Sequence, residues 1–154
     1  MKFKKNSGSS LIEVLVVATI LSVVSLTFLG SFAIISRFHE KNMYIIKSQL
    51  LAEEGMEALR LIKSNNWNIF TMGVKDQYLS VASSTWMTTT TPEIIDGIFY
   101  RRFFASTVGR DANGDIVQNG GSADPNIYKV YVQVDWKWRD ATTSARYYSY
   151  MTNL

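Results

Sequence analysis

The stretch that decides the fold reads Met1-Lys-Phe-Lys-Lys-Asn-Ser-Gly8-Ser-Ser-Leu-Ile-Glu13-Val14, after which no charge occurs until Arg37. From Val14 to Ser36 there are 23 uncharged residues. As a helix rising about 1.5 Å per residue they extend roughly 35 Å, and the hydrocarbon core of a bilayer is about 30 Å thick, so the run is long enough to cross it. A secretory signal peptide would carry a shorter apolar core closed by a small-residue cleavage site, and no Ala-x-Ala pattern ends this run. Lys2, Lys4 and Lys5 stand before it without an acidic neighbour, whereas Arg37, Lys41 and Lys47 beyond it are mixed with Glu40. The positive-inside bias then puts the N-terminus in the cytoplasm and the C-terminal part outside.

Glu13 is the discordant residue. A carboxylate at the centre of an apolar span costs roughly 2.5–3.5 kcal/mol on insertion scales, so something must compensate it. In an ordinary single-span membrane protein the compensation is positional: Glu13 lies near the helix N-terminus, where the macrodipole favours a negative charge and water is close. That reading accounts for length and orientation and leaves the particular string Gly8-Ser9-Ser10-Leu11-Ile12-Glu13-Val14 unexplained.

The string resembles the class III leader of type IV prepilins and type II secretion pseudopilins. The resemblance implies that a prepilin peptidase in the inner membrane cuts after Gly8 and that the new amine, on Ser9, is methylated. Glu13 becomes the fifth mature residue, which in this family neutralises the N-terminal amine of a neighbouring subunit and sets its register. An ammonium and a carboxylate stranded in apolar surroundings are each costly alone and attract strongly when paired. Most members carry Phe or Met after the cut, where this chain has Ser9. Gly30 stands near the place where many major pilins have a helix-weakening proline. It reads either as a hinge that lets the helix stretch or as a small residue for close helix packing. The implied partners are other pilin or pseudopilin subunits, the peptidase and the inner membrane.

The 154 residues suffice for one modest domain plus the helix, and the absence of cysteine excludes a disulfide framework or a thiol-ligated metal. Many major pilins close a C-terminal loop with a disulfide, so the chain departs from that subgroup. The formal charge is +3, yet without Lys2, Lys4 and Lys5 thirteen basic residues face thirteen acidic ones. The basic balance belongs to the leader, and it gives no warrant for a nucleic-acid partner.

Beyond the span the chain becomes amphipathic without a proline or loop signal. Phe38, Ile45, Ala52, Met56, Leu59 and Ile62 recur at helical spacing, and Ser64-Asn65-Asn66 is a stop signal. Glu53, Glu54 and Glu57 read as a solvated face, because no His or Cys at ligand spacing joins them. The only histidine, His39, lies just beyond the span with no companion for catalysis or metal binding.

From Trp67 onward the period changes to two. Thr88 to Pro92 reads as a linker ahead of the sheet. Gly97 to Val108 reads as a strand with Phe99, Arg101, Phe103 and Ala105 on one side. Ile127 to Trp138 alternates Tyr128, Val130, Val132, Val134, Trp136 and Trp138 toward a core. Arg139 to Ser144 reads as a turn into a last strand, Ala145 to Met151. A three-strand antiparallel meander packed on the helix stripe gives an α+β, pilin-like fold.

Within the connection from Gly109 to Asn126, oxygen ligands alternate at Asp111, Asn113 and Asp115, as in calcium loops. The later bidentate acid and the sixth-position glycine of such loops are missing. Asn113-Gly114 is equally a tight-turn dipeptide, so Ca²⁺ is an alternative to a plain hairpin tip, and no other cofactor is expected.

The resulting organisation is a leader over 1–8, a membrane and filament-core helix over 9–36, its amphipathic continuation over 37–66, and a β-rich globular domain over 67–154. The expected role is a structural, non-enzymatic filament subunit, first held in the inner membrane with its domain outside and later in an extracytoplasmic filament. A tip adhesin or DNA-uptake pilin using Arg101, Arg102, Arg110 and exposed aromatics is one alternative, a simple membrane-anchored domain another. A membrane-tethered hydrolase has no motif in its favour.

Overall fold

The computed structural model describes residues 7–70, 77–117 and 120–153. It resolves into two compact units, Met1–Met43 and Tyr44–Leu154. A single helix, α1, is assigned from Ser7 to Asn65. Asn66 donates its N–H to the Ile62 carbonyl and accepts the Asn68 N–H on its side chain, ending α1 and capping the 3-10 turn Trp67–Ile69.

The second unit is α+β, with the helix segment from Tyr44 onward packed on an antiparallel sheet. Seven strands, β1 (Gln77–Ala82), β2 (Thr85–Thr89), β3 (Ile94–Ile95), β4 (Phe99–Arg110), β5 (Ile116–Val117), β6 (Ser122–Trp138) and β7 (Ala141–Thr152), form one sheet. The main order is β2-β1-β4-β6-β7, and the short β3 and β5 each pair with β4. The core is built as alternation requires. From α1 come Ala52, Met56 and Leu59; from the sheet come Phe99, Phe103, Val130, Val132, Val134 and Trp136, all buried. Trp67, Phe70 and Tyr128 close one end of the core with ring contacts of 5.4 and 5.6 Å.

Five local expectations change. The meander β4-β6-β7 is present, but it is one part of a larger sheet. Thr88 and Thr89, read as linker, belong to β2 and pair with Leu79 and Tyr78. The turn expected over Arg139 to Ser144 is tighter, since only Arg139 and Asp140 make it and Trp138 pairs directly with Ala141. The β1–β2 hairpin and the tightness of the β6–β7 turn escape sequence reading because residues other than glycine take the left-handed conformation, Ser83 and Ser84 in one (φ 51° and 63°) and Arg139 in the other (φ 55°). Asn-Gly or Asp-Gly is the usual signal for such turns. The connection after Gly109 is shorter than expected, since β4 continues to Arg110 and β6 begins at Ser122. Finally, Phe38 is exposed, so the buried stripe begins near Ile45.

Pairing of β4 with β6 shifts register between Thr107 and Val108, where Tyr128 gives way to Asp124 as the opposite residue. Pro125 occupies this irregularity, where its missing N–H breaks no ladder bond. Arg110 closes it by donating from Nε to Asp124 Oδ2 at 2.7 Å, while Asp124 Oδ1 accepts from the Asn126 N–H at 2.9 Å. The arginine bond first, and the backbone bond second, hold the Asp124 carboxyl below the usual carboxylate range.

α1 packs tightly against the sheet at Gly55, where a Cβ would stand 2.9 Å from both Arg101 Cδ and Val132 Cγ1. Beside it Arg101, 5% exposed, donates from Nη1 to the Leu51 carbonyl at 3.2 Å and to Glu54 Oε2 at 2.7 Å. Its guanidinium lies over the Trp86 ring at 4.8 Å. Burying a charge is tolerable only with such partners.

Gly55→Ala should gain about 1 kcal/mol of helix propensity and lose about 1–3 kcal/mol to overpacking against the stiff Val132. A net loss of stability is therefore expected in thermal unfolding of the detergent-solubilised chain, and a stabilised variant would show that the sheet gives way easily. Because the Asp124 pKa is lowered on folding, its contribution is present above the ordinary carboxylate pKa and lost as pH falls through the lowered one. Wild type should lose stability more steeply than Asp124→Asn below about pH 4; parallel acid limbs would show that the Arg110 pair contributes nothing.

Candidate functional site

In the first unit, α1 is apolar on every side. Consecutive residues such as Leu15, Val16 and Val17 are all exposed, and so are Leu26 (69%) and Phe28 (70%). An exposed apolar surface on this scale marks contact with lipid or with other protein, and the helix is long and apolar enough to cross a membrane. Its polar side chains are arranged to suit such surroundings. Thr19 donates to the Val16 carbonyl at 2.8 Å, Ser22 to Ala18 at 2.7 Å and Thr27 to Val24 at 2.8 Å, so these three hydroxyls are satisfied within the helix.

Glu13 has no such internal answer. It lines a shallow hollow with Val14, Val17, Ala18 and Leu21. Among the described residues none forms an ion pair or hydrogen bond with it. Gly8 and Ser9 fall within the first turns of α1. Gly30 lies mid-helix, α1 passes through it unbroken, and a Cβ there would meet no other part of the chain within 4 Å. Gly8, Ser9 and Glu13, the residues expected to carry processing and assembly, thus lie on one helix.

The other sequence candidates lie in the second unit. Asp111 Oδ1 accepts two backbone N–H groups, from Asn113 and Asp115, each at 2.9 Å. The Asp111 N–H donates to the Asp115 carbonyl at 3.0 Å. This carboxylate is therefore turned onto its own hairpin tip. Among the described residues no three His, Cys, Asp or Glu side chains gather as a metal site. The arginines singled out for nucleic acid are each engaged within the fold: Arg101 with Glu54, Arg102 with Asp135 at 2.9 Å, and Arg110 with Asp124. Glu57 pairs with Arg60, so Glu53 alone of the acidic helix cluster makes no ion pair among the described residues.

Residues 3–29 match the family described as the prokaryotic N-terminal methylation motif. The chain carries the class III leader of a type IV prepilin-like protein. The match covers Gly8, Ser9 and Glu13 and ends just before Gly30. Searches of curated proteins and of solved structures return no significant match. The motif belongs to prepilin-processed proteins, which are structural subunits rather than an enzyme family. Behind this prepilin-like leader, the apolar helix supplies a membrane anchor.

Two features of the second unit were not legible in advance. Gly55 looked like one more helix residue, because its close contact is with Val132 and Arg101, far away in sequence. Arg146 gave no motif; it stands out only once the register of β7 shows which residues share its face.

Proposed function

We propose that this chain is a structural subunit, a minor pilin or pseudopilin, of a type IV pilus or type II secretion-like filament. Prepilin peptidase cuts after Gly8 and methylates Ser9, and the helix beyond then leaves the inner membrane for a filament core among other pilin subunits. The observation that carries this reading is Glu13, a carboxylate with no partner among the described residues, on an apolar helix directly behind a methylation-motif leader. A neighbouring subunit's N-terminal ammonium would supply the missing charge, and in apolar surroundings such a pair is far better than either ion alone. Gly30 would give the helix a site of easier extension during transfer.

The internal pairing of Arg101, Arg102 and Arg110 weighs against the DNA-capturing alternative, since contacting phosphates would require breaking existing ion pairs. No observation favours calcium at Asp111, Asn113 and Asp115 over the hairpin they already build.

The first test is the intact mass and N-terminal sequence of protein recovered from membranes of cells containing a prepilin peptidase. The expected chain starts at Ser9 with one added methyl group; one that starts at Met1 would leave only a membrane-anchored domain. Gly8→Leu should retain the leader in the same assay. Glu13→Ala should be cleaved and remain in the membrane, yet be depleted from sheared filaments by about tenfold or more, the loss expected from one buried charge pair. Wild-type incorporation of that variant would remove charge pairing from the assembly mechanism.

A further inference from the structure

β7 forms one edge of the sheet, and no described strand pairs with its far side. Natural edge strands are kept short, charged, bulged or interrupted by proline. The opposite edge obeys this, since β2 has 5 residues. β7 does not: it runs for 12 residues, Ala-Thr-Thr-Ser-Ala-Arg-Tyr-Tyr-Ser-Tyr-Met-Thr, without proline, lysine or acid, and pairs with β6 over its full length without a bulge.

Its free backbone groups can be assigned. The Asn153 N–H donates to the Asn126 carbonyl at 2.9 Å, one step beyond the Ile127–Thr152 pair. The two-residue connection closes on Trp138 and Ala141. Both observations give the same alternation. Ala141, Thr143, Ala145, Tyr147, Ser149 and Met151 exchange bonds with β6, whereas Thr142, Ser144, Arg146, Tyr148 and Tyr150 direct their N–H and C=O groups outward.

Side chains flanking this edge define two hollows. On the face away from α1, one is lined by Ser106, Lys129, Tyr131, Arg146 and Tyr148, with no acid among them. Arg146 donates only to Gln133 Oε1, at 2.7 Å, and Lys129 lies over the Tyr148 ring at 5.3 Å; among the described residues neither has an anionic partner. On the helix face, the other is lined by Gln49, Ala52, Glu53, Ala145, Arg146 and Tyr147, so Arg146 borders both hollows and Glu53 is the acid of this one. Tyr148 is 65% exposed and Tyr147 42%, so the strand presents an aromatic ring on each face.

We propose that β7 is a docking edge for an extended peptide segment of a partner protein, which adds to the sheet as a further strand. Strand addition takes its affinity from main-chain hydrogen bonds and its specificity from pockets for alternate side chains. Here the pockets differ in charge: one carries Lys129 and Arg146 without an acid, and the other adds the carboxylate of Glu53. The docking strand places an acidic side chain beside Arg146 and Lys129 and, on its other face, a cationic or hydrogen-bonding one toward Glu53 and Gln49. The inference does not depend on the filament reading, because a membrane-anchored domain would present the same edge.

The test uses the full chain in detergent and a fluorophore-labelled peptide, acetyl-Thr-Glu-Lys-Val-Thr-Glu-Lys-Val-amide, which alternates Glu/Val with Thr/Lys faces. Binding is followed by anisotropy and by amide hydrogen exchange along β7. Expected are saturable binding, slowed exchange at Ser144, Arg146 and Tyr148, and affinity at least about tenfold weaker for a peptide with Gln in place of Glu. Arg146→Glu should weaken binding similarly, as should Ser144→Pro, which removes an outward N–H and no bond to β6. Near-UV circular dichroism confirms that each variant is folded, and should Ser144→Pro not fold, the wild-type exchange pattern decides. No binding at about 1 mM peptide overturns the proposal. So does binding that leaves the exchange of those three amides unchanged, or Arg146-dependent binding of an oligouronate without binding of the peptide, which would make the hollow an acidic-sugar site.

Discussion

An apolar helix surface without cover is the constraint on which the rest of this chain depends. Side chains from Leu11 to Ile35 lie exposed all round α1, and at roughly 25 cal/mol per Å² of apolar surface no such helix stays in water. It must have lipid or neighbouring helices around it. The uncharged run and the self-satisfied hydroxyls of Thr19, Ser22 and Thr27 answer to that requirement, and the charged Glu13 does not. The carboxylate stands there one helical turn from Val17 and two from Leu21, and under the proposed function a positive charge from a neighbouring subunit answers it.

The same helix solves the opposite problem in the second unit, where its apolar stripe is covered by a sheet. Small residues make that contact close: Ser48, Ala52, Gly55 and Ala58 are buried along the segment. Ser48 keeps its hydroxyl satisfied by donating to the Ile45 carbonyl at 2.7 Å. The tight spacing lets Arg101 reach the Leu51 carbonyl and Glu54 from the strand opposite. The helix and β4 are thus joined by one buried, hydrogen-bonded charge as well as by packing. Such a charge adds specificity of placement more readily than net stability.

Much of this was legible in the sequence, because the signals were periodic. Val130, Val132, Val134 and Trp136 fall on the core face that period-two alternation assigns them, and Asn65 ends the helix within the predicted stop. What escaped was set by backbone geometry or by distance along the chain. Ser83-Ser84 and Arg139 make tight turns without glycine, so a β1–β2 hairpin looked like an uncertain region and a linker. Arg101 and Arg102 looked available because their partners, Glu54 and Asp135, lie tens of residues away. At the N-terminus the position was reversed: the leader was readable from its resemblance to a known motif, since the residues that carry it are adjacent in the chain.

The hydroxyls of Thr19, Ser22 and Thr27 have a consequence for transport between phases. Because each bonds to a carbonyl one turn back on its own helix, none has to exchange partners when the surroundings change from acyl chains to packed side chains. With the backbone groups also bonded within the helix, transfer of this segment from one apolar medium to another carries almost no desolvation penalty along its length. Glu13 is the charged exception, and it confines the electrostatic cost of any such transfer to a single point near the start of the apolar run.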